Sequence, residues 1–108
     1  MMQEEDYKIL AMLNQEQSFT KAAKRLFMSQ PLLSYRLKKI EKDFGIKIIE
    51  KVGNQFKFTP EGEYLVQFSN KVLFEIQNLK SHINELREGL KGNMKLGANT
   101  NFAIYPMP

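Results

Sequence analysis

Hydrophobic positions recur with a helical period over most of this chain, and the places where the period breaks define its elements. In residues 4–15, Ile9, Leu10 and Leu13 share one face at i, i+1 and i+4, and acidic residues fill the first turn, where the helix dipole favours them. The next stretch, "EQSFTKAAKRLFMS" (16–29), predicts a short second helix. Ser18 or Thr20 can cap it, and Ala22, Ala23 and Leu26 are small or apolar enough to lie close against a neighbour. Phe27-Met28-Ser29 reads as a tight turn. Ser29 is a good N-cap for a third helix with Pro31 in its first turn, where a missing N–H costs little, and Gly45 is placed to end it in a left-handed cap. Within that helix Leu33, Leu37, Ile40 and Phe44 form an apolar stripe spaced by four, three and four.

The period then changes. Ile46, Ile48 and Ile49, followed by Val52, Phe56 and Phe58, are β-type residues on either side of Gly53-Asn54-Gln55, which predicts a small hairpin over 48–58 with a Gly-Asn turn. Thr59-Pro60-Glu61 supplies a cap, a first-turn proline and an acid for the dipole of a new helix. From Pro60 to about Leu90 neither proline nor glycine breaks the helix after Gly62, save Gly89 near its end. Leu65, Val72, Ile76, Leu79, Ile83, Leu86 and Leu90 fall on one heptad phase, with Ser69 in the one polar slot. A helix of roughly 45 Å at 1.5 Å per residue is too long for so small a domain to cover, and a second copy of the chain is the simplest cover. Phe68, Leu73 and Phe74 lie off this seam, so part of the helix is expected to pack on its own domain.

The expected architecture is mainly α with a small β-hairpin: a winged helix-turn-helix over 1–59, then a coiled-coil dimerisation helix over 60–90. The pattern changes again at "GNMKLGANTNFAIYPMP" (92–108), where "MKLGA" reads as the first strand of a further domain, so 91–108 is expected to open a truncated one.

Composition narrows the function. The 108 residues include no cysteine, which excludes a disulfide framework and thiolate metal sites, and 43% hydrophobic with 26% charged residues is a globular balance. The acidic N-terminus lacks a signal-peptide layout and no apolar run is long enough to span a bilayer, so a cytoplasmic protein without membrane association is expected. The net charge is only +4, but Phe19–Phe58 holds ten cations against three anions, a local balance of +7 that leaves −3 for the rest. A basic segment in an acidic frame is the outline of a polyanion-binding face.

The candidate chemistry sits at the start of the third helix. A helix, a tight turn and a basic second helix form a helix-turn-helix layout, whose second helix fits a DNA major groove and meets base edges with its N-terminal residues. Gln30 can bond bidentately to adenine, and Pro31 offers an apolar face to a thymine methyl. Ser34 suits a phosphate or a base edge, and Tyr35, Arg36, Lys38 and Lys39 spread toward the groove's phosphate walls. Lys51, Asn54 and Lys57 on the hairpin would form a wing along an adjacent groove or backbone. Thr20, Lys21 and Ser29 complete the candidate surface, although Ser29 and Pro31 also have purely structural uses. An enzyme is not expected: the only histidine, His82, stands apart from any carboxylate constellation, and neither a glycine-rich phosphate loop nor metal-ligand spacing appears. A purely structural coiled-coil adaptor is the other reading, and the basic third helix and wing argue against it.

Residues 18–62 resemble the N-terminal winged helix-turn-helix of LysR-type bacterial transcriptional regulators. The shared positions are Ser18-Phe19-Thr20, Ala22-Ala23, Leu26, Ser29-Gln30-Pro31, Leu33-Ser34, Ile40-Glu41, Gly45, Ile48-Ile49 and Thr59-Pro60-Glu61-Gly62. The resemblance implies sequence-specific binding of double-stranded DNA, with a recognition helix at about 30–44 and a wing at 48–58. It places Gln30 and Pro31 on bases, Ser34 on phosphate, and Lys51 with Lys57 on the flanking backbone or minor groove. It further implies a homodimer through the linker helix, paired antiparallel, with a tetramer as an option for the full-length protein. No cofactor is implied for this chain, whereas a small-molecule effector is expected for a periplasmic-binding-protein-like C-terminal domain. The departures are Asn54 at a commonly basic wing position, Tyr35 where arginine is frequent, Arg36 where glutamine is frequent, and Ile48-Ile49 in place of Leu-Phe.

Overall fold

The computed structural model of the chain describes residues 2–92, and the strand expected at 94–98 lies outside them. Six elements follow in order: α1 (Glu4–Glu16), α2 (Phe19–Arg25), α3 (Gln30–Phe44), β1 (Ile49–Val52), β2 (Gln55–Phe58) and α4 (Pro60–Gly92). Local capping chemistry sets most of their ends. The Asp6 carboxylate accepts from the Gln3 N–H at 2.9 Å, closing the first turn of α1. Of the two cap candidates for α2, Ser18 serves: its hydroxyl accepts from the Lys21 N–H at 3.1 Å, which leaves Thr20 inside the helix. Ser29 does the same for α3, accepting from the Leu32 N–H at 3.2 Å. Gly45 ends α3 in the left-handed region at φ 66°.

The turn between α2 and α3 is less comfortable. Phe27 adopts φ 56°, a conformation that crowds the Cβ of any residue but glycine, and its side chain is 96% exposed. The ring therefore recovers nothing by burial for the backbone strain it carries.

The core is built where the helical stripes meet. Ile9, Leu10 and Leu13 of α1, Ala22 and Ala23 of α2, and Leu33, Leu37 and Ile40 of α3 form one buried cluster with Ile48, Leu65 and Val66. Ala22 is fully buried, so the alanine pair is what lets α2 approach its neighbours closely. The stripe of α3 stops at Ile40. Phe44, expected to continue it, is 43% exposed because it occupies the last helical residue, just before the chain turns away at Gly45.

The hairpin is antiparallel with a two-residue Gly53-Asn54 turn and pairs Ile49 with Phe58, Glu50 with Lys57, Lys51 with Phe56, and Val52 with Gln55. Gly53 supplies the positive φ of 65° that such a turn requires. Phe56 docks edge-on against Phe19 of α2 and against Phe58, at ring separations of 5.1 and 5.6 Å, which fastens the strands to the helical layer.

The junction into α4 is tightly specified. The Ile48 N–H donates to the Glu41 carboxylate at 2.8 Å, and the Ile48 carbonyl accepts from the Thr59 N–H at 2.9 Å. The Thr59 hydroxyl donates to the Lys47 carbonyl and accepts from the Gly62 N–H at 3.0 Å. Gly62 lies so close that a Cβ there would overlap the Ile48 carbonyl oxygen and meet its carbon at 2.9 Å. The Thr-Pro-x-Gly run is thus a structural lock, with only glycine fitting its last place.

The compact globular unit runs through Phe74, past the boundary expected at residue 59, because the first turns of α4 contribute buried side chains. Leu65, placed on the dimer seam by its heptad phase, is only 9% exposed and belongs to the core of its own chain. Ser69 is fully buried, and its hydroxyl donates to the Leu65 carbonyl at 2.7 Å, which satisfies it within the helix. Phe68 meets Tyr7 of α1 at 6.0 Å between rings, as expected of an off-seam residue. Beyond Phe74, within the second unit, Leu79 (60% exposed), Ile83 (47%) and Leu86 (68%) form an uncovered apolar series, preceded by half-buried Ile76. The Leu90 side chain lies outside the described residues.

Gly62→Ala is expected to lower stability by about 1–3 kcal/mol, since the clash is with backbone that cannot rotate away; urea denaturation followed by circular dichroism measures it. Phe27→Asn is expected to raise stability by about 1 kcal/mol, because asparagine tolerates the left-handed region and the exposed ring contributes no packing. An unchanged or lowered denaturation midpoint would show that the turn carries no strain.

Candidate nucleic-acid interface

Two N-caps and one lock determine what surrounds the start of α3. Ser29 fixes the helix so that Gln30 is its first residue and stands exposed, and the lock at Ile48 seats the hairpin beside it. Between the start of α3 and the hairpin opens a cleft of about 670 Å³. Gln30, Ser34 and Lys38, spaced four apart and so on one face of α3, line its helical wall together with Thr20 of α2. Lys47, Lys51 and Asn54 line the opposite wall, and the apolar Leu37, Ile49 and Phe56 are among the other lining residues. Glu41 is the one acid among the lining residues, and against it Lys38, Lys47 and Lys51 leave the cleft positive. The Thr20 hydroxyl donates to Gln30 Oε1 at 3.2 Å, linking the first turns of the two helices.

Strand register sorts the wing residues. Paired positions share a face of a hairpin, so Lys51 stands with Phe56 on the side facing the cleft, whereas Lys57 stands on the other side opposite Glu50. Of the two wing cations paired by the sequence reading, only Lys51 reaches the cleft. Lys47, on the loop between α3 and β1, takes part instead. No periodicity places a loop residue, and its only advance signal was membership of the basic segment.

Arg36, read from sequence as a DNA-facing cation, is engaged elsewhere. Its guanidinium donates to Glu5 Oε1 at 2.9 Å and to Asp6 Oδ1 at 3.0 Å, and its side chain is 22% exposed. The Asp6 hydrogen bond, followed by the attraction of Asp6 and Glu5, raises its already high pKa against the opposing effect of burial. Arg36 therefore ties α3 to the first turn of α1 and lines a smaller hollow of about 250 Å³ on that side. Tyr35, 65% exposed, and Lys39 line the same hollow rather than the cleft. Lys21, Ser29 and Pro31 are exposed but stand outside the cleft lining.

The described residues contain no cluster of three or more His, Cys, Asp or Glu able to hold a metal ion, and no described helix is long and apolar enough to cross a membrane. His82 is exposed on α4, with Nδ1 donating to the Asn78 carbonyl at 3.0 Å.

Comparison with known proteins identifies the family and the fold. Residues 5–63 match the model of the bacterial regulatory helix-turn-helix proteins of the lysR family. The uncharacterized HTH-type transcriptional regulator YraN of Bacillus subtilis (strain 168) is 47% identical over 107 residues, which is 99% of this chain and 37% of that protein. Among solved structures, the BenM DNA-binding domain in complex with benA site 1 DNA superposes with a TM-score of 0.76 at 32% identity, covering 82% of this chain and 99% of that one. Full-length OxyR C199D from Pseudomonas aeruginosa gives a TM-score of 0.73 at 34% identity, covering 79% of this chain and 29% of that one. The chain spans about a third of the length of the regulators it matches. The resemblance drawn from Ser18 to Gly62 is thus matched by the family model, by relatives and by fold together, and the chain belongs to the lysR family of bacterial regulatory helix-turn-helix proteins.

Proposed function

We propose that this chain is the DNA-reading and dimerising part of a transcriptional regulator, with α3 in the major groove and the hairpin wing on the flanking backbone or minor groove. The observation that carries the reading is the row Gln30, Ser34 and Lys38 on one face of α3, opening onto the same cleft as Lys47 and Lys51. A polar tip that can pair with a base edge, backed by cations on both walls, is the division of labour that a duplex demands: phosphate contacts position and base contacts specify. The BenM domain supports it, since its structure contains DNA and its fold matches over most of both chains.

Dimerisation rests on the uncovered series Leu79, Ile83 and Leu86 with Ile76 before it. A second copy brings an identical heptad series and covers the stripe without a foreign partner. Two-fold symmetry then presents two recognition helices to two half-sites. In the longer regulator a small-molecule effector would act through the C-terminal domain, tetramers would form by further contacts, and the site of action would be the cytoplasm.

A gel shift on duplexes recovered from a random-sequence pool tests the reading: affinity falls steeply with added salt. Gln30→Ala costs about 1–3 kcal/mol on the selected site and relaxes one base position; an equal loss on random duplexes would remove the base-reading role. Ile76→Lys combined with Ile83→Lys yields monomers by light scattering, and an unchanged mass would exclude the seam.

A further inference from the structure

We propose that Thr20 is a positioning residue for base reading: its hydroxyl holds the Gln30 amide in one orientation and thereby sets which base edge Gln30 accepts. The inference rests on the reading that Gln30 meets a base. Thr20 is the second residue of α2 and Gln30 the first of α3, and each backbone is fixed by its own serine cap, Ser18 and Ser29. Between them the Thr20 hydroxyl donates to Gln30 Oε1 at 3.2 Å. Both side chains are exposed and both line the cleft.

An exposed glutamine otherwise samples many rotamers and both amide orientations at little cost. Its carboxamide has an acceptor on one arm and a donor on the other, so the orientation decides the chemistry it offers. With Oε1 turned to α2, the Nε2 donor is directed away from Thr20, and the oxygen keeps a second lone pair. A donor beside an acceptor complements N7 and N6–H of adenine. Released from Thr20, the amide also turns to offer its N–H donors to guanine N7 and O6, and discrimination between the two purines falls. Thr20 so placed acts on specificity through Gln30, without touching the base itself.

The test uses the full chain and duplexes selected from a random pool, with each site position then varied through all four base pairs. Thr20→Val removes the hydroxyl at constant shape and is expected to reduce discrimination roughly three- to tenfold, the worth of one hydrogen bond. The loss should fall at the position that Gln30→Ala relaxes and at no other. Thr20→Ser should retain discrimination, and Thr20→Val added to Gln30→Ala should change nothing further. Matching denaturation midpoints establish that the variants fold. Equal weakening on every duplex would make Thr20 a phosphate contact and overturn the proposal, as would relaxation at a different position. If Gln30→Ala relaxes no position at all, it is the base-reading role of Gln30 that fails, and the two failures are told apart by that variant alone.

Discussion

Every group of Ile48 is committed, and the geometry of the cleft follows from that. Its side chain is fully buried, its N–H is bound by Glu41 of α3, and its carbonyl is held by Thr59 at the entrance to α4 with Gly62 pressed against it. One residue thus joins α3, the base of the hairpin and the start of α4. A buried peptide group with both partners supplied has no cheap alternative arrangement, because breaking either bond strands a polar atom away from water. The wing cannot swing from α3 without breaking that junction. The distance across the cleft, from Gln30 and Lys38 on one side to Lys51 on the other, is therefore a property of the core rather than of a flexible loop.

The polar residues around α3 divide by what they touch. Gln30, Ser34 and Lys38 are left to the cleft, while Arg36 is taken by Glu5 and Asp6 of α1. The presence of Arg36 and Tyr35 in place of the family's frequent glutamine and arginine follows this division. The arginine braces the helix from behind, and the tyrosine stands over the hollow next to it. Neither lines the cleft, so the altered pair bears on the bracing of the helix more directly than on what its tip meets.

What was legible in the sequence was what is local in the chain. The caps at Ser29 and Thr59, the left-handed Gly45 and the Gly-Asn turn each depend on residues within a few positions, whereas for α2 the sequence leaves Ser18 and Thr20 open and the bond from the Lys21 N–H decides for Ser18. The contacts that reassigned residues are remote: Arg36 meets acids 30 and 31 positions earlier, a pairing that no periodicity encodes. Leu65 obeys the heptad, but a heptad reports a shared face and not what covers it, and the chain's own core covers that turn. Phe44 likewise keeps the spacing of its stripe after the core has ended. Lys57 is a different case. A two-residue turn fixes the register, register fixes the faces, and the separation of Lys51 from Lys57 was present in the pattern of "KVGNQFK".

That separation makes the basic segment act differently at long and short range. Out to about a Debye length its ten cations outweigh its three anions, and their summed positive field has the sign that attracts a polyanion. At contact the hairpin has an inner side bearing Lys51 and an outer side where Lys57 is paired in register with Glu50. Of the segment's lysines, Lys38, Lys47 and Lys51 line the cleft walls, and in the proposed complex these would displace condensed counterions from the backbone. In the proposed complex the rate of encounter would follow the whole basic segment and the salt sensitivity the cleft lysines, so each could change without the other.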